Sequence, residues 1–126
     1  MEKKIIRTNN APAPIGPYSQ AVQFGNLLFI SGQIALHHAS GELLTGDIKD
    51  ETKLVMENLK AILTEAGMDF SHIIKTTIFL MDMKQFAQVN EVYGSYFTSN
   101  PPARETVQVS GLPRGVNVEI SMIAGI

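Results

Sequence analysis

The change of hydrophobic period near the middle of the chain most constrains its fold. Residues 48–66 carry a stripe of side chains at steps of three and four residues, which is the period of an α-helix. The members of that stripe are Ile48, Thr52, Val55, Leu59, Ile62 and Ala66. Asp47 can cap the start of this helix, and Gly67 can end it in a left-handed conformation. Residues 73–80 are instead apolar and rich in β-branched side chains, so they predict a well-buried strand.

Glycine-containing turns predict two β-hairpins. Gly25-Asn26 separates residues 21–24 from residues 27–31, and two residues are the loop length of a tight hairpin. A second pair of strands, over residues 106–110 and 116–124, is joined by a short loop that contains two glycines and a proline. The sequence therefore predicts that these last two strands pair with each other.

One more helix completes the predicted secondary structure. It begins at Asp82 and is stopped by Asn100-Pro101-Pro102, because proline ends a helix. Its inner face would consist of Met83, Phe86, Asn90, Tyr93 and Phe97. With a short strand at residues 5–8, the order of elements predicts an α+β fold, a mostly antiparallel sheet with both helices on one face.

Length and composition limit the classes of function. The 126 residues fit a single domain over residues 1–126, and hydrophobic residues, 44% of the total, support a real core. Charged residues make up only 17%, which is consistent with a surface partly covered by another subunit. The net charge of −2 gives no electrostatic footprint for nucleic acid. The absence of cysteine removes disulfides, thiolate metal sites and a cysteine nucleophile.

Signals for targeting are missing from the sequence. No apolar run has the length of a membrane span, and residues 1–8 lack the long apolar stretch of a secretory signal. We therefore expect a cytoplasmic protein without a membrane partner.

The second predicted hairpin brings Arg104 and Glu119 together. Pairing Val109 with Val116 places the valines on one face of the sheet. Arg104, Thr106 and Glu119 then share the other, polar face, where Arg104 and Glu119 are diagonal neighbours. By themselves the two charges indicate a solvated ion pair, worth at most about 1 kcal/mol. In the functional alternative, the arginine grips a carboxylate through two parallel hydrogen bonds and the glutamate holds or activates a water.

Four other positions have a structural and a functional interpretation. Asn90 lies on an apolar helix stripe, which is typical of a buried structural amide, and Tyr18 is typical of a loop aromatic that covers the core. Ser31-Gly32 ends a strand, either as a simple turn or where the backbone approaches a ligand closely. His37-His38 lacks a nearby third ligand, so we expect no metal site there. No phosphate-binding or dinucleotide-binding motif is present.

Short motifs along the chain resemble those of a known family in order and spacing. They are Gly16-Pro17-Tyr18-Ser19-Gln20-Ala21, Ser31-Gly32-Gln33, Asn58-Leu59-Lys60, Lys75-Thr76-Thr77, Val89-Asn90-Glu91-Val92-Tyr93, Pro102-Ala103-Arg104, Leu112-Pro113 and Val118-Glu119-Ile120. On these motifs the chain, from about residue 3 to 125, is identified as similar to the reactive intermediate deaminase family, the RidA or YjgF-type proteins. The resemblance implies a chorismate-mutase-like α+β fold and a homotrimer with sites at the subunit interfaces.

The resemblance also implies an activity without a cofactor. This activity is the hydrolysis of 2-imino acids, such as 2-iminobutanoate and 2-iminopropanoate, to 2-oxo acids and ammonia. Arg104 would hold the substrate carboxylate, Glu119 would position or activate the attacking water, and the main chain at Thr106 would help to place that water. The pocket would be lined by Tyr18, Ser31, Gly32 and Asn90, with some of them from the neighbouring subunit. The alternative is a non-enzymatic trimer that binds small carboxylates or regulates, as a chaperone-like protein or translation inhibitor.

The sequence departs from the family pattern at several positions. Thr106 stands where many relatives carry cysteine, and we expect activity to survive because the implied role is that of the main chain. Glu105 replaces a small residue but would point away from Arg104. Glu51 occupies a common glutamine position and is expected to have no effect on the site. The loop before Pro102 is short compared with that of some relatives, which could alter access to the pocket.

Overall fold

Two α-helices lie on one face of a six-stranded sheet in the computed structural model, which describes residues 2–126. The strands are β1 (Lys3–Ile6), β2 (Ala21–Phe24), β3 (Leu27–Gln33), β4 (Ile73–Leu80), β5 (Ala103–Gln108) and β6 (Val118–Gly125), and the helices are α1 (Ile48–Glu65) and α2 (Phe86–Gly94). The predicted α+β class, with a mostly antiparallel sheet and both helices on one face, is confirmed.

The order of the strands is β1-β2-β3-β6-β4-β5, and only β4 and β5 run parallel. The hairpin of β2 and β3 at Gly25-Asn26 is confirmed, with Gly25 in the left-handed conformation that the tight turn requires. The predicted hairpin of the last two strands is wrong, because β4 lies between them. Helix α2 carries the chain back from the end of β4, as a parallel connection requires, so β5 joins one edge of β4 and β6 joins the other.

Local signals mark both limits of α1 and the start of the helical segment that leads into α2. At the start of α1 the Asp47 side chain accepts a hydrogen bond from the Asp50 amide at 3.1 Å, and Gly67 follows its end with a φ of 74°, as predicted. Helix α2 is shorter than predicted. As predicted, the helical segment begins at Asp82, whose side chain accepts a hydrogen bond from the Lys84 amide at 3.0 Å, but residues 83–85 form a tight turn before α2. Beyond Gly94 the chain continues in turns of hydrogen bonds three residues apart.

The core lies between α1 and the sheet. Burial alternates along β6, where Val118, Ile120, Met122 and Ala124 are buried and the residues between them are half-buried. The fully buried side chains of α1 include Val55, Met56, Leu59, Ile62 and Leu63. We call the side of the sheet that carries Leu28, Ile78 and Ile120 the helix face, and the opposite side, which carries Phe29 and Glu119, the outer face. Within residues 2–126, no helix combines the length and apolar character that crossing a membrane demands.

Candidate functional site

The predicted site residues form two groups on opposite faces of the sheet. Arg104 pairs with Thr76, which is buried on the helix face, so Arg104 belongs to that face. Glu119 lies between the buried Val118 and Ile120 and therefore belongs to the outer face. The predicted diagonal pairing of Arg104 with Glu119 is wrong, because it depended on the hairpin that the structure replaces with β4.

Helix α2 holds the guanidinium of Arg104 in place. Its Nη1 donates a hydrogen bond of 2.6 Å to Oδ1 of Asn90. The guanidinium carbon lies 5.4 Å from the ring centre of Phe86 and 5.2 Å from that of Tyr93, within the range of cation–π attraction. Arg104 is exposed, and an arginine has five N–H donors, so the remaining donors can receive a planar carboxylate in two parallel bonds.

The interpretation of Asn90 as a buried amide is wrong. Asn90 is exposed, and its partner is Arg104 rather than the core. The neighbouring Tyr93 is buried instead, and its hydroxyl donates a hydrogen bond of 2.9 Å to Oγ1 of Thr76. Burial raises the pKa of Tyr93, so this ring stays neutral beneath the guanidinium.

Thr106 presents a main-chain amide and carbonyl next to Arg104, together with a buried hydroxyl. The Val109 amide donates to Leu80 of β4, and alternate residues of a strand point their amides in opposite directions. The Thr106 amide and carbonyl therefore face away from β4, towards the open edge of the sheet. Its side-chain Oγ1 is buried and, within the part of the chain that the structure describes, has no hydrogen-bond partner. Arg104 and Thr106 line one shallow pocket with Met83 and Phe86.

Glu119 lies in a separate cleft of about 580 Å³ on the outer face. Tyr18, Ser31, Gly32 and Arg114 line the same cleft. Partial burial raises the pKa of the Glu119 carboxyl above its ordinary value, because a charged carboxylate is less well solvated there. A carboxylate with a raised pKa is a stronger base, which is the property that activation of a water requires.

Gly32 leaves room for the Glu119 side chain in the position it adopts. A Cβ at residue 32 would lie 2.6 Å from Oε2 of Glu119, which is closer than side chains approach one another. The interpretation of Ser31-Gly32 as a simple turn is wrong, because both residues lie within β3, at a register shift between Ile30 and Gln33, and the alternative of a close backbone approach to a ligand stays a prediction. The hydroxyl of Ser31 donates to the Ser19 carbonyl at 2.6 Å and so ties β3 to the loop that carries Tyr18.

The interpretation of Tyr18 as a cover for the core is also wrong. Its ring is 52% exposed at the mouth of the Glu119 cleft, and its hydroxyl accepts a weak hydrogen bond of 3.3 Å from the Ile15 amide. Gln20, which carries no predicted role, is buried behind it. Its side chain bonds to the Thr8 amide at 2.7 Å and to the Pro12 carbonyl at 2.9 Å, and so fixes the loop. The only signal for this role was a polar residue at the start of a strand.

In a single chain the two groups do not face one another. The group on the helix face consists of Arg104, which can bind a carboxylate, and the open main-chain edge at Thr106. The group on the outer face contains Glu119, a half-buried base in a cleft. Across residues 2–126, no cluster of three or more histidine, aspartate or glutamate side chains is arranged to hold a metal ion.

Comparison with known proteins establishes the class. A family model described as "Endoribonuclease L-PSP" matches residues 8–126, so the chain belongs to that family, which is the family of the RidA and YjgF-type proteins. The predicted family membership is confirmed.

Individual relatives carry different names. The chain is 57% identical to "Protein DfrA" of Myxococcus xanthus, over 98% of this chain and 96% of that protein. It is 50% identical to the "2-iminobutanoate/2-iminopropanoate deaminase" of Mus musculus, over 97% of this chain and 90% of the relative. The crystal structure of E. coli TdcF with bound serine superposes with a TM-score of 0.94 at 44% identity and covers 98% of each chain.

Proposed function

We propose that this protein hydrolyses 2-imino acids, 2-iminobutanoate and 2-iminopropanoate among them, to 2-oxo acids and ammonia. The observation that carries this proposal is that the guanidinium of Arg104 is held in place while it stays exposed. Asn90, Phe86 and Tyr93 fix its guanidinium, while its remaining donors are open to a carboxylate. The mouse relative's name supports the choice of imino acid among small carboxylates.

The complete site would form between copies of the chain. The outer face exposes large apolar side chains, each between 40% and 50% exposed, which is typical of a surface that another subunit covers. They are Ile5, Phe24, Leu27, Phe29 and Val107. Glu119 lies on this same face, and Arg104 lies on the strand at the edge of the sheet. A homotrimer that buries the outer face would place the edge strand of one copy against the Glu119 cleft of the next.

The reaction balances with water alone. Arg104 would bind the carboxylate of the substrate through two N–H donors and so hold the imine carbon over the cleft. Glu119 would orient the water and accept its proton as the oxygen bonds to that carbon. The nitrogen would then take up the proton held by Glu119 and the proton of the new hydroxyl group and leave as ammonia, while the oxygen becomes the 2-oxo group and Glu119 is a carboxylate again. No electron transfer occurs, so the reaction itself requires no redox cofactor.

The remaining residues of the site would orient Arg104, Glu119 and the water. The Thr106 main chain at the open edge of the sheet would place the water, and Asn90 would align the guanidinium. Tyr18, Ser31 and Gly32 would form the wall of the cleft on the Glu119 side. We keep the cytoplasmic location and the absence of a nucleic-acid or membrane partner as predictions.

The test is the decay rate of freshly generated 2-iminobutanoate with and without the protein. We expect the wild type to accelerate decay, Arg104→Ala to abolish the acceleration, and the matched control Arg7→Ala to retain it, because Arg7 is exposed and lines neither pocket. Sedimentation at micromolar concentration should show a trimer, and a monomer would contradict the shared site.

A second candidate is a trimer that binds small carboxylates without reaction, which the serine bound to the E. coli relative favours. Glu119→Gln separates the two candidates. If the protein is a deaminase, this variant should bind 2-oxobutanoate in calorimetry but lose turnover. If wild type binds the carboxylate yet leaves every 2-imino acid unaccelerated, the binding function replaces the deaminase.

A further inference from the structure

Glu51 is a fully buried carboxylate in the first turns of α1. It accepts hydrogen bonds from the Asn117 amide at 2.8 Å, from Nδ2 of Asn117 at 2.8 Å and from the Val118 amide at 3.2 Å. Within residues 2–126, no lysine, arginine or histidine forms an ion pair with it. Burial of a charged group is costly unless hydrogen bonds replace its water, and here three N–H donors do so.

All three donors belong to the two residues that precede Glu119. The carbonyl of Asn117 accepts a hydrogen bond of 3.1 Å from the Met81 amide, so α1 and the end of β4 hold this residue from two directions. The chain reaches β6 from a tight turn in which Arg114 has a φ of 57°, a conformation that most residues avoid. Glu51 therefore fixes the point at which an irregular turn becomes a regular strand.

We propose that Glu51 is a positioning residue for Glu119. It fixes the backbone of Asn117 and Val118, and that backbone sets the direction in which the Glu119 carboxylate enters the outer-face cleft. On the other side, the carboxylate fills the space beside Gly32 where a Cβ would lie 2.6 Å from its Oε2, so a shift of the strand changes this contact as well. This inference rests on the proposed role of Glu119, and it replaces the expectation that Glu51 has no effect on the site.

Two substitutions separate positioning from simple loss of stability. Glu51→Leu removes every acceptor and leaves three N–H donors without their partner, so the start of β6 must shift. Glu51→Gln keeps one oxygen for the two backbone amides, and the Asn117 amide can turn so that its oxygen accepts from the new NH2 group. The control is Leu63→Ala, about 18 Å further along α1 than Glu51, which leaves a cavity in the core and removes none of the three hydrogen bonds of Glu51.

We expect Glu51→Leu to lower kcat on the order of ten- to hundredfold, because a misplacement near 1 Å has effects of that size. KM should change less than about twofold, because the carboxylate grip at Arg104 is untouched. Glu51→Gln should retain kcat within about threefold, and Leu63→Ala should retain wild-type kcat while lowering the melting temperature. Equal losses of kcat in Glu51→Leu and Leu63→Ala, or wild-type kcat in Glu51→Leu, would overturn the proposal.

A titration independent of activity keeps this inference separate from the proposed function. The Glu119 carboxyl is followed by carbon NMR and assigned with Glu119→Gln. In Glu51→Leu its pKa should move back towards the ordinary value as the side chain becomes hydrated, while Glu51→Gln and Leu63→Ala should leave it raised. If the wild type hydrolyses no imine, the proposed function fails and this titration alone decides. An unchanged pKa in Glu51→Leu then refutes the positioning role.

If Glu51→Leu does not fold, Asn117→Ala takes its place. This variant removes one of the three hydrogen bonds and keeps the two from the backbone amides. The change in kcat and in the Glu119 titration should have the same direction and be smaller. A folded Asn117→Ala protein that matches the wild type in both measurements would refute the proposal.

Discussion

Gly32→Ala tests how strictly the proposed chemistry depends on the position of Glu119. The new methyl group would lie 2.6 Å from Oε2 and 2.9 Å from Cδ of Glu119. Ordinary contact begins at 3.4 Å, so the carboxylate must retreat by about 0.8 Å, a displacement near the 1 Å at which rates fall on the order of a hundredfold. Gly32 does not have a positive φ, so alanine fits its backbone and the variant should fold.

The assay compares the steady-state rate of 2-imino acid hydrolysis in three proteins. Gly32→Ala should lose between ten- and a hundredfold in kcat, because the base no longer reaches the water. The control Gly46→Ala adds the same methyl group where no other atom lies within 4 Å, and it should match the wild type. A wild-type kcat in Gly32→Ala would refute the reasoning that the position of the carboxylate limits the reaction.

A double-mutant cycle shows whether the loss passes through Glu119. In a Glu119→Gln background the base is already absent, so adding Gly32→Ala should cost little more. If the two losses multiply instead, the methyl group acts on the cleft by another route, such as exclusion of the substrate.

Two further predictions concern stability. Glu119→Gln should raise the melting temperature at pH 7. Burial raises the pKa of Glu119 in the folded state, so between the unfolded and folded pKa values the folded protein binds more protons than the unfolded chain. The stability of the wild type therefore falls as pH rises through that window, and glutamine avoids this loss. The gain should vanish in melts below the unfolded pKa, and a loss of stability at pH 7 would contradict the sign. Thr106→Val should increase the free energy of unfolding, measured in urea, by about 1 kcal/mol, because it removes a buried hydroxyl without a hydrogen-bond partner. The variant should retain turnover. A loss of stability would show that the hydroxyl has a hydrogen-bond partner.

Local elements of the fold were predictable because each has its own local sequence pattern, either a hydrophobic period or a turn motif. The three- and four-residue steps of residues 48–66 correspond to α1, and Gly25-Asn26 forms the turn of the first hairpin. The pairing of β5 was not predictable in this way. Alternation of polar and apolar residues determines which face a side chain occupies, but not which strand lies alongside. The valines of the last two strands are compatible with an antiparallel pairing of those strands. In the structure the crossover through α2 places β5 parallel to β4 instead.

The candidate site was predictable as a set of residues rather than as a geometry. The motifs around Tyr18, Ser31, Arg104 and Glu119 indicated its members, but the faces that carry them depend on the order of strands. The contact of Glu51 with Asn117 joins residues 66 positions apart, and no periodicity connects them. From the sequence Glu51 is only a polar residue near the start of a helix, where an acidic side chain is favourable whatever its partner.

Glu119 is where the stability of the chain and its proposed chemistry conflict. Two features of the structure hold its carboxylate in a half-buried position, where a neutral side chain would cost less desolvation free energy. The absence of a side chain at Gly32 makes room for it, and Glu51, itself fully buried, fixes the strand that carries it. The cost of two partly or wholly buried carboxylates is understandable if the raised pKa and fixed direction of Glu119 serve a base. Binding a small carboxylate needs only Arg104, so this arrangement around Glu119 favours the hydrolase over the binding protein.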